Sequence, residues 1–407
     1  MQRQEVSDAM DAKLQHSGNE ADKTLTGKQK AMQLLGKMDL RAYTMIAALL
    51  GIWVFFSFMN EFFLSPRNLS NLFLQMSVTS ILAIGMLLVI VAGHIDLSVG
   101  SIVGLTGGIA AILQVWYDWN TLPVILVTLF VGVLIGLIQG WWVAYQAVPA
   151  FIVTLGGMMM FRGVLMGISK GSTIAPLEDT FKLIGSGYIP YLMGWGLAVV
   201  AIVVIAVSQW KQRQTRKKYG FALSPLYADV IKILFYAVLI GIFVSLMNSY
   251  KGIPFPIILV LVLAILFTFI AKKTRMGRHI YAIGGNTEAA RLSGINVRWR
   301  TMTVFVFSSL LASITGIVLT ARVNAATIGA GTMYELDAIA ACVIGGTSLM
   351  GGSGTIVGAV IGALVMASLD NGMSIMNMEN FWQFIVKGGV LILAVWFDMY
   401  SRRKKTA

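Results

Sequence analysis

Cysteine and histidine are nearly missing from this chain: one cysteine, Cys342, and three histidines, His16, His94 and His279, are spread over 407 residues. A single cysteine excludes an intrachain disulfide, and histidines so dispersed give neither an imidazole dyad nor zinc-ligand spacing. No metal and no cofactor are therefore expected. Cys342 stands in an apolar run, where a thiol serves as a small buried hydrophobe. There is no G-x-x-x-x-G-K-[ST] phosphate loop, so by that signature the chain does not hydrolyse nucleotide itself. Nor is there an N-P-A pair, a T-V-G-Y-G filter or an acidic repeat that would form a ring, which weighs against a water or ion channel. Charge is scarce, at 12% of residues. Catalysis within this polypeptide is not expected.

Apolar sequence is what the chain has in excess: 57% of residues are hydrophobic and the mean hydropathy is +0.78, far outside the range of soluble domains. A span needs about 20 apolar residues to cross ~30 Å of hydrocarbon. Candidates fall near 42–63, 76–94, 99–117, 122–146, 149–169, 188–209, 228–249, 254–271, 301–321, 334–350, 354–370 and 381–398. The fold class read from this pattern is all-α, a polytopic transmembrane bundle of ten to twelve segments, with broken or re-entrant helices near residues 95 and 351. Residues 1–41 read as an N-terminal tail, 42–399 as the transmembrane domain and 400–407 as a C-terminal tail. The polar opening MQRQEVSDAMDAKLQHSGNEADK lacks the pattern of a cleavable signal peptide, so the first apolar helix is expected to direct insertion.

The net charge is +13. In a soluble protein that would suggest nucleic acid, but here the basic residues gather in the tails and in loops 210–220 and 272–300. Even numbers of segments separate these regions, so all of them, with both termini, are expected on the cytoplasmic side. No nucleic-acid partner is expected; membrane lipid is. The stretch QKAMQLLGKMDL (29–40) fits a short amphipathic interfacial helix or a disordered tail. The longest external connection, 169–190, is polar and offers a place for a soluble partner to touch.

Two stretches resemble each other. GSIVGLTGG (100–108) and GTIVGAVIG (354–362) carry glycine at i, i+4 and i+8, and each follows a polar break. Close helix packing at Gly104, Gly108, Gly358 and Gly362 explains the spacing; an internal duplication fits as well. In AGHIDLSVG, a carboxylate between glycines suits a helix break, and the parity of the spans puts that break near the inner face. Asp96 then caps the next helix through N–H groups near Ser98 and Val99, with Gly93 and Gly100 flanking the break, or takes part in gating. Asp337, Asp370 and Asn371 have the same two readings, helix-end solvation or pathway lining.

The loop YAIGGNTEAARLSGINV (281–297) has capping chemistry at Asn286 or Thr287, a short Ala-rich helix, and Gly294 placed to end it. It reads as a linker helix, or as a small-faced helix that a separate motor grips.

The segments GHIDLSVGSIVG, VPAFIVTLGGMMMFRG, GRHIYAIGGNTEAARLSGINV, ELDAIAACVIGGTSLMGGSGTIVGAVIGALVMASLDNGMS and FWQFIVKGGVLILAV together resemble the permease subunit of ribose- and xylose-type ATP-binding cassette importers. The likeness runs over about 42–398, and SLDNGMS (368–374) with the extra apolar hairpin around 210–250 points to the D-xylose members. The resemblance implies a bacterial inner-membrane location and a second permease copy around a central pathway. It also implies a cytoplasmic ATPase gripping EAARLSG and an extracytoplasmic sugar-binding protein at the outer mouth. By the same resemblance Glu288, Ala289, Ala290 and Gly294, with Asn286 before them, are the coupling positions. The tail before residue 42 departs from the family pattern and inherits nothing. The alternative is a secondary sugar transporter driven by an ion gradient, with buried acids such as Asp96 and Asp337 as proton carriers.

Overall fold

A computed structural model describes residues 40–406, apart from 222 and 224. Contacts separate Met1–Ala47 from Ala48–Ala407. Of the first unit only the opening of helix α1 (Leu40–Met59) belongs to the described residues, and the amphipathic helix considered over 29–40 lies outside them up to residue 39.

Each of the twelve apolar segments coincides with a helix. After α1 come α2 (Pro66–Val91), α3 (Val99–Val115), α4 (Thr121–Ala144), α5 (Ala150–Ser169), the short α6 (Asp179–Ser186) and strand β1 (Tyr188–Ile189). Then follow α7 (Tyr191–Lys218), α8 (Leu226–Asn248), β2 (Ile253–Pro254), α9 (Phe255–Lys273), α10 (Arg275–Gly285) and α11 (Thr287–Leu292). The chain continues through α12 (Val297–Val323), α13 (Tyr334–Ile344), α14 (Ile356–Ile375) and α15 (Asn380–Thr406). Among the described residues nine helices are long and apolar enough to cross a membrane. The short members are α3, with 17 residues, and α13, with 11; each borders a place where the chain breaks or reverses. The C-terminal tail read from residue 400 continues α15 as helix.

The sequence sets the helix starts. Ser65 caps α2 by accepting the Asn68 N–H at 3.3 Å, with Pro66 at the first helical position, where its missing N–H costs nothing. In α2, 83% of the apolar window is buried, against 11% in α7 and in α8, so α2 is the central helix and the α7–α8 hairpin is peripheral. Helices α3, α4 and α12 pack together, and α14 packs on α2 and α13. The approach of α4 to α12 rests on a glycine ladder on α4. A Cβ at Gly136 would lie 2.6 Å from Val306 Cα, and one at Gly140 2.9 Å from Met302 Cα, while Gly132 faces Ser313. Glycines four apart let the two backbones touch.

The connection 169–190 is less free than its polarity suggests. Its helix α6 buries Phe181, Leu177 N–H donates to Asn324 Oδ1 at 2.9 Å, and β1 pairs antiparallel with β2. Asp179 stays exposed and pairs with the half-buried Lys182. The adjacent ammonium holds the Asp179 carboxyl below its ordinary range.

Candidate functional site

Residues 92–98 interrupt the path from α2 to α3, and Asp96 organises them. Its Oδ1 accepts the Ser98 N–H at 3.0 Å and the Ser98 hydroxyl at 2.6 Å; its Oδ2 accepts the Ser308 hydroxyl at 2.9 Å. Gln139 Nε2 from α4 donates to Ser98 Oγ at 2.8 Å. The sequence reading had Asp96 cap the next helix near the inner face, and its bond from the Ser98 N–H matches that cap, but the solvation expected with it is not found. Instead Asp96 and Ser98 are fully buried, and Ser308 lies about 17 Å along α12 from Val297 at 1.5 Å per residue. Asp96 therefore joins a helix break to the middle of a long helix, with all its partners supplied by protein. A carboxylate so deep is tolerable because its oxygens are hydrogen-bonded. Replacing Asp96 with alanine leaves the Ser98 N–H and the Ser308 hydroxyl buried and unpaired, and is expected to cost about 1 to 3 kcal/mol. Asp96→Asn should lose less, because the amide oxygen still accepts. Melting temperature in detergent checks the order; an unchanged melting temperature in Asp96→Ala together with lost transport would show that the carboxylate is not structural.

A second reversal follows α12. Thr320 lies against Gly107, yet Gly331 O lies against Gly100 and Ala330 O 2.7 Å from a Cβ at Gly104. Between residues 320 and 331 the chain thus doubles back by seven residues of α3, ~10 Å. Arg162, in the middle of α5, holds this return, donating through Nη1 to Ile328 O at 2.6 Å and Ala330 O at 2.9 Å. These bonds satisfy carbonyls that no helix pairs. Glu335, buried at the start of α13, also faces Gly100. The sequence reading placed breaks near 95 and 351 but missed this one. A lone arginine in the apolar segment 149–169 was the available signal.

The third irregular stretch, 345–355, joins α13 to α14. Gly358 faces Gly345 O, Gly362 faces Ala341 O, and Gly108 faces the Leu165 side chain. All four packing glycines taken from the sequence are thus at close contacts. Thr355 caps α14 through the Gly358 N–H at 3.1 Å.

Two of the three breaks meet on α10. Gly352 N–H donates to Val91 O, the end of α2, at 2.9 Å. Gly284 faces that same carbonyl, and a Cβ there would lie 2.6 Å from Gly352 N. Tyr281 donates its hydroxyl to Gly354 O at 2.7 Å, and burial pushes the phenol above its ordinary range, so it remains a donor at physiological pH. One residue past α10 begins the coupling candidate. Asn286 Oδ1 caps α11 by accepting the Ala289 N–H at 2.9 Å. Glu288 pairs with Arg291 at 2.7 Å on an exposed face, Ala290 is buried, and Gly294 ends the turn at φ +79°. The protruding Leu292 is 79% exposed. The arrangement is an exposed short helix hinged to a platform that touches the end of α2 and the loop before α14.

Asp337 and Asp370 do not solvate helix ends. Lys387 of α15 stands between them, 3.0 Å from Asp337 Oδ2 and 2.9 Å from Asp370 Oδ2. The other carboxylate oxygens, Asp337 Oδ1 and Asp370 Oδ1, are buried without a hydrogen-bond partner. Asn371 points elsewhere, accepting from Asn68 Nδ2 at 2.7 Å. The lysine was readable as a charge well inside the last apolar segment. Among the described residues no group of three His, Cys, Asp or Glu side chains could hold a metal ion.

A family model described as branched-chain amino acid transport system / permease component matches residues 68–395. The xylose transport system permease protein of Haemophilus influenzae is 47% identical over 371 residues, 91% of this chain and 99% of that protein. Its namesake in Escherichia coli K12 is also 47% identical, over 91% of this chain and 94% of the relative. The ribose import permease protein of Escherichia coli K12 is 37% identical over 353 residues, 87% of this chain and 92% of the relative. No solved structure matches.

Proposed function

The chain belongs to the branched-chain amino acid transport system / permease component family, and from that premise we propose that it is the membrane subunit of an ATP-driven importer of D-xylose. The likeness to xylose permeases over 91% of the chain supports the sugar. The observation that carries the mechanism is the contact of α10 with both Val91 and Gly352.

In this reading a separate cytoplasmic ATPase grips the exposed Glu288 and Ala289 of α11 and Gly294 just beyond it; Ala290, expected among the gripped positions, is buried and instead seats the helix against its own chain. Closing of the ATPase pair pushes α11, and α10 passes the displacement to the end of α2 and to the 345–355 loop. The irregular backbone beside α3, α13 and α14 absorbs the motion, as hinges at element ends do. Two copies of the chain enclose the pathway, and both termini face the cytoplasm with the basic loops. An extracytoplasmic binding protein supplies selectivity, so the membrane subunit need hold the sugar only weakly and transiently.

The structure gives little support to proton carriage by Asp96 or Asp337: the first is occupied by three hydrogen bonds and the second is held by Lys387. The test is at α11. Glu288→Arg reverses a charge on the exposed face, and Gly294→Trp forces a bulky side chain into a left-handed turn. Each is expected to reduce uptake of labelled xylose at least about tenfold and to remove the ATPase subunit from the purified complex, with membrane insertion unchanged. A shift of ~1.4 kcal/mol in subunit affinity is sufficient for that. Wild-type uptake in both variants would falsify the coupling assignment.

A further inference from the structure

The transport reading makes no use of the α7–α8 hairpin. Its exposed faces are apolar, with Val203, Val207 and Trp210 on α7 and Leu234 and Val238 on α8, as expected for helices against lipid tails. Where that surface ends, the two helices form a crevice lined by Gln209, Gln212, Arg213, Arg216, Asp229 and Lys232. Arg213 bridges to Asp229 at 2.5 Å across the two helices, which fixes the walls. One carboxylate faces three cations, so the crevice keeps an excess of positive charge, with two side-chain amides beside it.

Height decides what this charge meets. Trp210 is 61% exposed, and an exposed tryptophan at the end of an apolar helix marks the boundary of the hydrocarbon. Arg213 and Arg216 lie one and two turns beyond it, ~5 and ~9 Å along the helix, within the headgroup layer. A cytoplasmic protein would have to reach into that layer to bind here; a phosphodiester is already present in it. We propose that this crevice is a binding site for the phosphate of an anionic phospholipid, read by Arg216 and Lys232, with Arg213 oriented by Asp229. Arginine presents a planar fork of donors to phosphate and lysine a compact charge, while the glutamines supply neutral donors for a headgroup hydroxyl. The acyl chains lie along the exposed valines of α7.

The experiment uses the full chain in nanodiscs of equimolar phosphatidylglycerol and phosphatidylcholine, extracted into mild detergent, with retained lipid counted by native mass spectrometry. Wild type is expected to retain phosphatidylglycerol selectively. The double variant Arg216→Gln, Lys232→Gln should retain about tenfold less, since each cation near the headgroups adds appreciable attraction. A matched control at the end of α9, Lys272→Gln with Lys273→Gln, should retain as much as wild type. Equal retention of the two lipids by wild type overturns the proposal without any variant. So does undiminished phosphatidylglycerol in Arg216→Gln, Lys232→Gln. If that variant keeps its lipid but loses the ATPase subunit, the crevice is a protein contact and the lipid assignment is wrong.

Discussion

Gly284→Val is expected to reduce ATP-driven xylose uptake to background in a protein that still inserts and still binds its ATPase. The Val91 carbonyl occupies the space a Cβ at 284 would need, and Gly352 N is only 2.6 Å from it. Both neighbours are backbone, and no rotamer change moves them away. The added side chain must separate α10 from the end of α2 and from the 345–355 loop, which breaks the Gly352 N–H to Val91 O bond. Overpacking of this kind costs ~1 to 3 kcal/mol, too little to unfold the bundle but enough to uncouple two elements that move together. Gly285 is the control: nothing lies within 4 Å of a Cβ there, so Gly285→Ala should transport like wild type. Labelled-xylose uptake, with ATPase co-purification in parallel, checks the pair. Full uptake by Gly284→Val would mean that α10 does not transmit the motion.

Lys387→Met is expected to be the most destabilising single change in the bundle. Removing the ammonium leaves Asp337 and Asp370 facing each other, each with a second oxygen already buried and unpartnered. Breaking a buried ion pair by deleting one partner costs ~3 to 5 kcal/mol, because a charge remains without compensation. The melting temperature should fall by several degrees, and α15 should loosen from α13 and α14. Adding Asp337→Asn and Asp370→Asn should restore most of the loss, because amides need no counter-charge. If the triple variant is no better than Lys387→Met alone, the lysine acts through packing of its alkyl chain, not through its charge.

How much of this was legible in the sequence depends on the scale of the signal. Helices showed well: twelve apolar runs of about span length became twelve helices, because hydrocarbon leaves backbone no alternative to internal hydrogen bonding. Local capping was readable too, since Asn286 caps α11 across three residues. The Asp96 to Ser308 bond spans 212 residues, and parity of spans, which fixes only the side on which a loop emerges, could not supply that partner. The return of the chain over 324–333 is polar and glycine-bearing like any loop, and only its contacts with Gly100 and Gly104 and its bonds to Arg162 reveal that it runs back into the bundle. The ladder Gly132, Gly136 and Gly140 had the same spacing as the glycines that were singled out. It went unread because no matching segment elsewhere drew attention to it. Lys387 was visible as a charge inside an apolar run, but its pairing with residues 50 and 17 positions away was not.

Uptake of labelled D-xylose by proteoliposomes tests the central claim most directly. With the ATPase subunit inside, the binding protein outside and no ion gradient, xylose should accumulate only when ATP is supplied, and ribose should not compete effectively. Accumulation by the permease alone under an ion gradient, without ATP or binding protein, would contradict it.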